Sequence, residues 1–556
     1  MFQYFIFLLL LIVSTFNASA LTPNNINSPL GINTNEAMDI GTSIPFVDLF
    51  KLSLPFDEAR PWLTKGNIAY DKNGWPKNLN KGKAGTRFVS NIPADALPKG
   101  NYTVLYDGSG LLEYGVGAKL IKQSKGKDLI SLTPDKNGLI SATITISRSD
   151  PKNYLRNIRI LMPGGVCSTD LFRRVQNKKD CGGRPYLSFN QHYKKLRFNP
   201  DYLNFMKDFK VIRFMNMSGI TRNLMSSWDQ RVTPAKATWS GKEGVRGVPL
   251  EVMVELANVL KTDAWFTLPH KADNAFVQKY ASYVHKNLKP GLKTYVEFSN
   301  EAWNGIFPQA HYMKAMGSKV QLDRNRDYAG YKFYSQRSVE IFKIWERIFG
   351  DNKRLVRVMG GMTGNLRLTK MLLDHDNAYN HTDALAIAPY FYAPQNQVLR
   401  LRSVDSVFKL LTEPNNPYSV ANIIDSITKQ ASLSKHYGVD LIAYEGGQHL
   451  VAYRTHSMNA GPNPYLIAAN RDPRMAELYF KFLQGWRKAG GKLFVAFSAP
   501  RKHSWFGSWG VKEYITQPTH KAPKYRALMR FVSTNLCWWN GCSKYGPIVR
   551  HGKPLN

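Results

Sequence analysis

The segment TYVEFSNEAWN, residues 294–304, opens as a run of aromatic and β-branched residues and closes on Asn300, Glu301 and a small-residue turn. Side chains in a β-strand alternate between two faces, so Tyr295, Glu297, Ser299 and Glu301 fall on one of them. A carboxylate in the middle of that face needs a partner, because a buried charge is expensive unless it is paired. Arg213, in the comparable run VIRFMN (211–216), is the partner we expect for Glu297.

Working outward, six more runs of the same kind recur after residue 200: VIRFMN (211–216), AWFTLPH (264–270), RLVRVMG (354–360), ALAIAPY (384–390), LIAYEG (441–446) and LFVAFSA (493–499). Long stretches with apolar residues at three- and four-residue intervals separate them, among them LEVMVELANVLK and YKFYSQRSVEIFKIWERIF. Alternating β and α patterns predict a parallel sheet. An eighth strand, SPLGIN (28–33), stands far upstream and is followed by the helix-like PFVDLFKLS (45–53). The expected architecture is therefore an α/β (β/α)8 barrel whose first unit (27–55) is separated from the remainder (163–535) by an insert. Residues 56–162 read as short strands at close spacing (NYTVLYDG, LLEYGVG, GLISATITIS, NIRILMPGG), an all-β, sandwich-like domain.

In such a barrel the chemistry sits where the strands end, at the carboxyl face. Glu301 closes the fourth strand and follows an amide, Asn300, that can bond a substrate hydroxyl. Glu445 closes the seventh, and the two glycines after it let the chain turn away and leave the carboxylate at the barrel mouth. Two facing carboxylates about 5–5.5 Å apart are what glycoside hydrolysis with retention requires. Either glutamate alone reads most simply as a solvated strand end; the pair, on strands four and seven, favours acid/base and nucleophile roles.

These residues resemble the glycoside hydrolases of the large (β/α)8 superfamily with catalytic glutamates on strands four and seven, the clan A type. The pattern is Glu297-x-x-Asn300-Glu301 with Tyr444-Glu445-Gly446-Gly447, over roughly residues 27–55 and 200–535, and it matches no single family. The resemblance implies that Glu301 protonates the leaving oxygen and that Glu445 attacks the anomeric carbon. It further implies that Arg213 supports the nucleophile, that His270 lies at a sugar subsite, that Tyr390 bonds the nucleophile, and that Trp505 or Trp509 forms a sugar platform. Glu297 is expected to pair with Arg213 and not to react.

The chain's 556 residues, 43% hydrophobic and 21% charged, can bury a large core. Residues 1–20, with an apolar run from Phe5 to Val13 and Ala18-Ser19-Ala20 before Leu21, read as a signal peptide cut after Ala20. No later stretch is long and apolar enough to span a bilayer, so a secreted or periplasmic protein is expected. The four cysteines fall into sequence-local pairs, and disulfides Cys167–Cys181 and Cys537–Cys542 are expected, the second tying a C-terminal tail (536–556) to the barrel. Neither a metal-ligand spacing nor a phosphate-binding glycine fingerprint accompanies these motifs, so neither metal nor cofactor is expected.

Lys plus Arg exceed Asp plus Glu by 75 to 40, a formal charge of +35. Arg501, in the Pro500-Arg501-Lys502-His503 loop after strand eight, could grip an acidic sugar at the cleft rim; a diffusely basic surface explains the charge equally well. The partner expected is a polysaccharide or oligosaccharide. A specific nucleic-acid binder would interleave its basic residues with stacking aromatics on one face, whereas here they are scattered. A non-catalytic polysaccharide-binding protein using the same cleft is the competing class. No motif bears on oligomeric state.

Overall fold

The computed structural model describes residues 24–350, 353–452 and 463–543. The expected signal peptide and the last residues of the C-terminal tail lie outside the described residues. Eight parallel strands close into a barrel: β1 (Leu30–Asn33), β2 (Val211–Arg213), β3 (Asp263–Leu268), β4 (Thr294–Phe298), β5 (Leu355–Gly360), β6 (Ala384–Ile387), β7 (Asp440–Ala443) and β8 (Phe494–Ala496). Closure is made by β1, which pairs with β2 through Gly31↔Val211 and with β8 through Leu30↔Phe494. Gly31 is required there, since a Cβ would stand 2.8 Å from the Val211 carbonyl oxygen and 2.9 Å from a Val495 methyl.

The surrounding helices form for ordinary reasons. Asp273 caps Asn274–Asn287 by accepting from the Phe276 amide, Ser419 caps Val420–His436 by accepting from the Asn422 amide, and Pro473 and Pro523 open the last two long helices. Within Val420–His436 the buried positions Val420, Ile423, Ile427, Gln430 and Ser434 make one stripe against the sheet. After β1 the pattern differs from expectation. The segment read as a helix over 45–53 forms only the 3₁₀ turn Leu49–Leu52. Phe46, Val47, Leu49, Phe50 and Leu52 are all buried, so this stretch has no polar face to turn to solvent. It is instead a wedge: Phe50 stacks on Trp75 at 5.4 Å and Phe46 meets the edge of Trp239 at 5.1 Å.

The inserted segment carries a two-stranded antiparallel pair, Ala69–Tyr70 with Pro76–Asn78, and two larger antiparallel sheets. One orders Arg156–Leu161, Tyr102–Asp107, Lys127–Leu132 and Ala118–Ser124; the other orders Ala84–Pro93, Leu139–Ser149 and Gly110–Val116. Alternation along Leu139–Ser149 buries Ile140, Ala142, Ile144 and Ile146. A further three-stranded sheet of Asp170–Val175, Gly165–Cys167 and Tyr186–Ser188 precedes the return to the barrel, cross-linked by Cys167–Cys181. The hydrophobic core runs without a break from Val104, Ile130 and Ile144 of the insert to Leu256 and Ile341 of the barrel helices.

A second apolar cluster fills the barrel interior toward the strand starts. Val211, Trp265, Tyr295, Val358, Ile442, Leu493 and Val495 pack there with Trp539 and the Cys537–Cys542 disulfide. Trp539 therefore plugs the amino end of the barrel, and Trp538 donates to the Gly491 carbonyl (2.9 Å) beside it. Among the described residues no helix is long and apolar enough to cross a membrane.

Candidate active site

Arg213, the last residue of β2, is fully buried at the carboxyl end of the barrel. A guanidinium has five N–H donors in a fixed fork, and here each has a partner. Nε and Nη2 bind Glu297 as a two-pronged pair, both at 3.0 Å; Nη2 also reaches Asn300 Oδ1 (2.9 Å); Nη1 reaches Asn33 Oδ1 (3.1 Å) and Glu445 Oε1 (3.0 Å). Its faces are covered by the rings of Trp265 and Tyr444, 5.5 and 5.0 Å from the guanidinium carbon. Burial alone would weaken its hold on the proton, but Glu297 and Glu445 outweigh that and raise its pKa. Glu297 accepts in addition from Trp265 Nε1 at 2.8 Å, which completes an internal ion pair.

The two glutamates sit above this pair with different partners. Glu445, 6% exposed, takes Arg213 on one oxygen and the Tyr390 hydroxyl on the other (2.8 Å). Glu301 takes the Tyr444 hydroxyl on Oε1 (3.1 Å) and the Asn304 amide on Oε2 (2.7 Å). Burial first, and then the charge of Glu301, push Glu445 up to about 7 against the pull of Arg213 and Tyr390. Burial likewise raises Glu301, against the donors Asn304 and Tyr444. Two carboxylates that feel each other in a dry site do not both ionise readily. Arg213 and Tyr390 both donate to Glu445, which makes it the better seat for the negative charge.

Glu301 does not arrive by strand alternation. β4 ends at Phe298, and Ser299 and Glu301 take left-handed backbone conformations, φ 62° and 44°. Non-glycine residues rarely adopt these, and the turn is held by Gln309 Nε2 donating to the Asn300 carbonyl at 2.7 Å. The kink lets Asn300 and Glu301 both reach the site. With its Oδ1 fixed by Arg213, Asn300 presents its amide nitrogen away from the guanidinium.

Glu445 likewise stands two residues past β7. Gly446 packs flat on Phe494, where a Cβ would meet the ring at 2.6 Å, and Gly447 (φ 130°) lies under Tyr479. Beyond Tyr390 an aromatic wall continues: the His449 ring lies 5.2 Å from Tyr390, and Trp509 Nε1 donates to His449 Nδ1 at 3.2 Å. Burial holds His449 neutral, with its pKa lowered to about 4.

Of the other residues singled out from sequence, His270 is buried beyond β3 with its ring edge-on to Tyr312 (5.2 Å), and burial lowers its pKa to about 4. Trp509 belongs to the wall beside Tyr390, whereas the half-buried Trp505 meets Phe506 on the same loop. Arg501 turns toward Glu36 (3.4 Å), and both lie in the field of a second carboxylate, Glu243; Lys502 reaches the Asn91 carbonyl of the insert. The loop's cations are thus engaged with the protein around the rim and do not converge on the glutamates. Asn33, Trp265, Asn304, Tyr444 and His449 were not assigned roles from sequence. Asn33 could have been found by the rule that picked out Glu301, a polar residue ending an apolar strand.

No protein-family model and no curated protein sequence matches the chain. Solved structures similar to it include glycosidases. They include a 4-O-α-L-rhamnosyl-β-D-glucuronidase from Fusarium oxysporum 12S, at 13% identity over 57% of this chain and 61% of that one, TM-score 0.35. A modular endo-β-1,4-mannanase of glycoside hydrolase family 26 from Cellulomonas fimi is 11% identical over 62% and 69%, TM-score 0.35. A β-glucosidase from Thermotoga maritima is 11% identical over 61% and 86%, TM-score 0.33. The match spans less than two thirds of the Fusarium enzyme's length. At these values the likeness is one of outline; the barrel itself rests on its closed strand ladder.

Proposed function

We propose that this chain is a secreted retaining glycoside hydrolase acting on a polysaccharide or oligosaccharide, with Glu301 as acid/base and Glu445 as nucleophile. The observation that carries the proposal is the unequal support of two buried carboxylates at one barrel mouth. Glu445 rests on a cation and a phenol; Glu301 rests on neutral donors only. Charge therefore belongs on Glu445 and the proton on Glu301, the division of labour that retention needs.

In the first step the Glu445 carboxylate attacks the anomeric carbon while Glu301 gives its proton to the leaving oxygen. In the second, Glu301, now ionised, takes a proton from water, which displaces Glu445 from the sugar. Asn300, with its oxygen pinned by Arg213, is placed to donate to a sugar hydroxyl beside the reacting carbon. Tyr390 and Arg213 hold Glu445 and take up its charge when it leaves again. The His449–Trp509 wall supplies the apolar side against which a ring can lie. Paired cysteines support an oxidising, exported location.

The test is a panel of polysaccharides and aryl glycosides with the Glu445→Gln and Glu301→Gln proteins beside wild type. The proposal expects Glu445→Gln to lose at least about 1,000-fold in kcat on every substrate while still binding it. Glu301→Gln should spare activated aryl glycosides far more than natural linkages, because a good leaving group needs little protonation. Turnover by the Glu445→Gln protein close to wild type would overturn it.

A further inference from the structure

The largest exposed aromatic side chain in the described residues takes no part in the contacts of the barrel-mouth site. Trp62, at the entry to the inserted domain, is 84% exposed. An indole that bare offers a flat apolar face on which a sugar ring can stack. The turn that carries it is built and held: Arg60 Nη2 donates to the Gly66 carbonyl (2.8 Å), and Arg60, Pro61, Trp62, Thr64, Lys65 and Gly66 line one open surface depression.

The two charged side chains that line this depression, Arg60 and Lys65, are both cationic. Lys65 and Lys83 face each other across an antiparallel bridge, with both backbone hydrogen bonds made (2.9 and 3.0 Å). Directly opposed residues project to the same side, and like charges so placed repel. Of the acids nearby, Glu113 sits 3.7 Å from Lys83 in an exposed pair, Glu58 is engaged by Arg246 at 3.1 Å, and Asp57 is exposed in the same segment. Among the described residues neither Arg60 nor Lys65 forms an ion pair with a carboxylate, so an anion seated over the turn would offset their charge.

We propose that Trp62, Arg60, Lys65 and Lys83 form a second glycan-binding platform on the insert, one that takes an acidic polysaccharide: the indole face stacks on a sugar ring and the cations take its carboxylates. The choice of a polysaccharide as occupant rests on the glycosidase reading of the barrel; the choice of an acidic one rests on the charge. The Glu58–Arg246 ion pair ties this turn to the loop that leaves β2 at the catalytic end, so one long polymer can engage both. Binding at the platform then raises the local concentration of chain at the cleft without a new contact there.

The experiment is affinity electrophoresis of the full chain, in the Glu445→Gln form, through gels containing polygalacturonate, neutral barley β-glucan or oligo(dT). Trp62→Ala and the Lys65→Ala/Lys83→Ala pair should each weaken retardation by polygalacturonate about fivefold or more, and the loss should shrink as salt rises. Trp62 is exposed enough that its removal leaves the fold intact, which circular dichroism checks. Equal retardation of Trp62→Ala and its parent overturns the platform. Equal retention by β-glucan, indifferent to the lysines, overturns the acidic class. Tighter retention by oligo(dT) through the same residues makes this a nucleic-acid site instead. Turnover separates the two claims: Trp62→Ala in the otherwise wild-type chain should cleave short oligosaccharides normally. A chain that cleaves nothing yet loses polygalacturonate binding with Trp62 would fail the barrel reading and keep this one.

Discussion

Arg213 is the residue on which the site's geometry turns, because one planar cation fixes Glu297, Asn300, Asn33 and Glu445 at once. Lysine keeps the charge but offers three donors from a single point, so Arg213→Lys leaves buried acceptors unpaired. We expect activity to fall more than about 100-fold and stability by about 2 kcal/mol, read by kinetics and urea unfolding. A lysine variant of near-normal activity would show that the fork is not needed. Tyr390→Phe has a gentler and more specific effect. The phenol donates to the ionised form of Glu445 and so holds its pKa down; without it the carboxyl, already up at about 7, rises further. The acidic limb of the kcat/KM profile, which follows ionisation of Glu445, should therefore move to higher pH while the alkaline limb, set by Glu301, stays nearly in place. An unmoved acidic limb would separate Tyr390 from the nucleophile. Much of this site was legible in the sequence as positions: Glu301, Glu445 and Tyr390 stand out as polar residues ending apolar runs, and Glu297 and Arg213 as charges within them. Their contacts were not. Asn33 and Tyr444 reach the same guanidinium from opposite ends of the chain, and no periodicity encodes a meeting between residues 180 positions or more apart.

At the scale of elements, strand ends decide what the side chains can do. All eight strands appear where alternation and β-branching placed them, because a barrel strand buried on both sides leaves a strong apolar signature. What failed was the helix over 45–53, where an apolar run was read without asking what would cover its far side. Also unread was the sheet around Gly165–Cys167, whose strands are too short to show a period. The strand-end turns make a testable case. Gly446→Ala inserts a methyl 2.6 Å from the Phe494 ring, and overpacking of this kind costs about 1–3 kcal/mol. Since the displaced residue adjoins Glu445, kcat should drop more than KM rises; unchanged kcat with lowered stability would mean that the turn positions nothing. The Cys167–Cys181 bridge closes a loop of sequence separation 14, for which cross-linking contributes on the order of 3 kcal/mol. Cys167→Ser/Cys181→Ser should unfold at correspondingly lower urea with the same catalytic constants, and a change in kcat would tie that sheet to the site.

Taken as a whole molecule, the chain spends its length on joining a barrel to a β-rich insert through one core. Lys236 and Ala237, in the loop after β2, show how closely they are fused: the Lys236 ammonium donates to the Lys72 carbonyl of the insert (2.7 Å) and the Ala237 amide to the Asn73 carbonyl (2.9 Å). Net charge told least in the sequence, since +35 spread over a large surface has no address until the fold brings Lys65 opposite Lys83. In the barrel, the proposed nucleophile Glu445 is the group that becomes covalently bound to sugar. The most direct test is to offer the protein a panel of activated 2-deoxy-2-fluoro glycosides, which slow the second step, and to map the trapped adduct by peptide mass spectrometry. A single added sugar is expected on the peptide containing Glu445, formed by wild type and not by Glu445→Gln; an adduct on another residue, or turnover of the parent sugar with inversion and no adduct at all, would rule Glu445 out as the nucleophile.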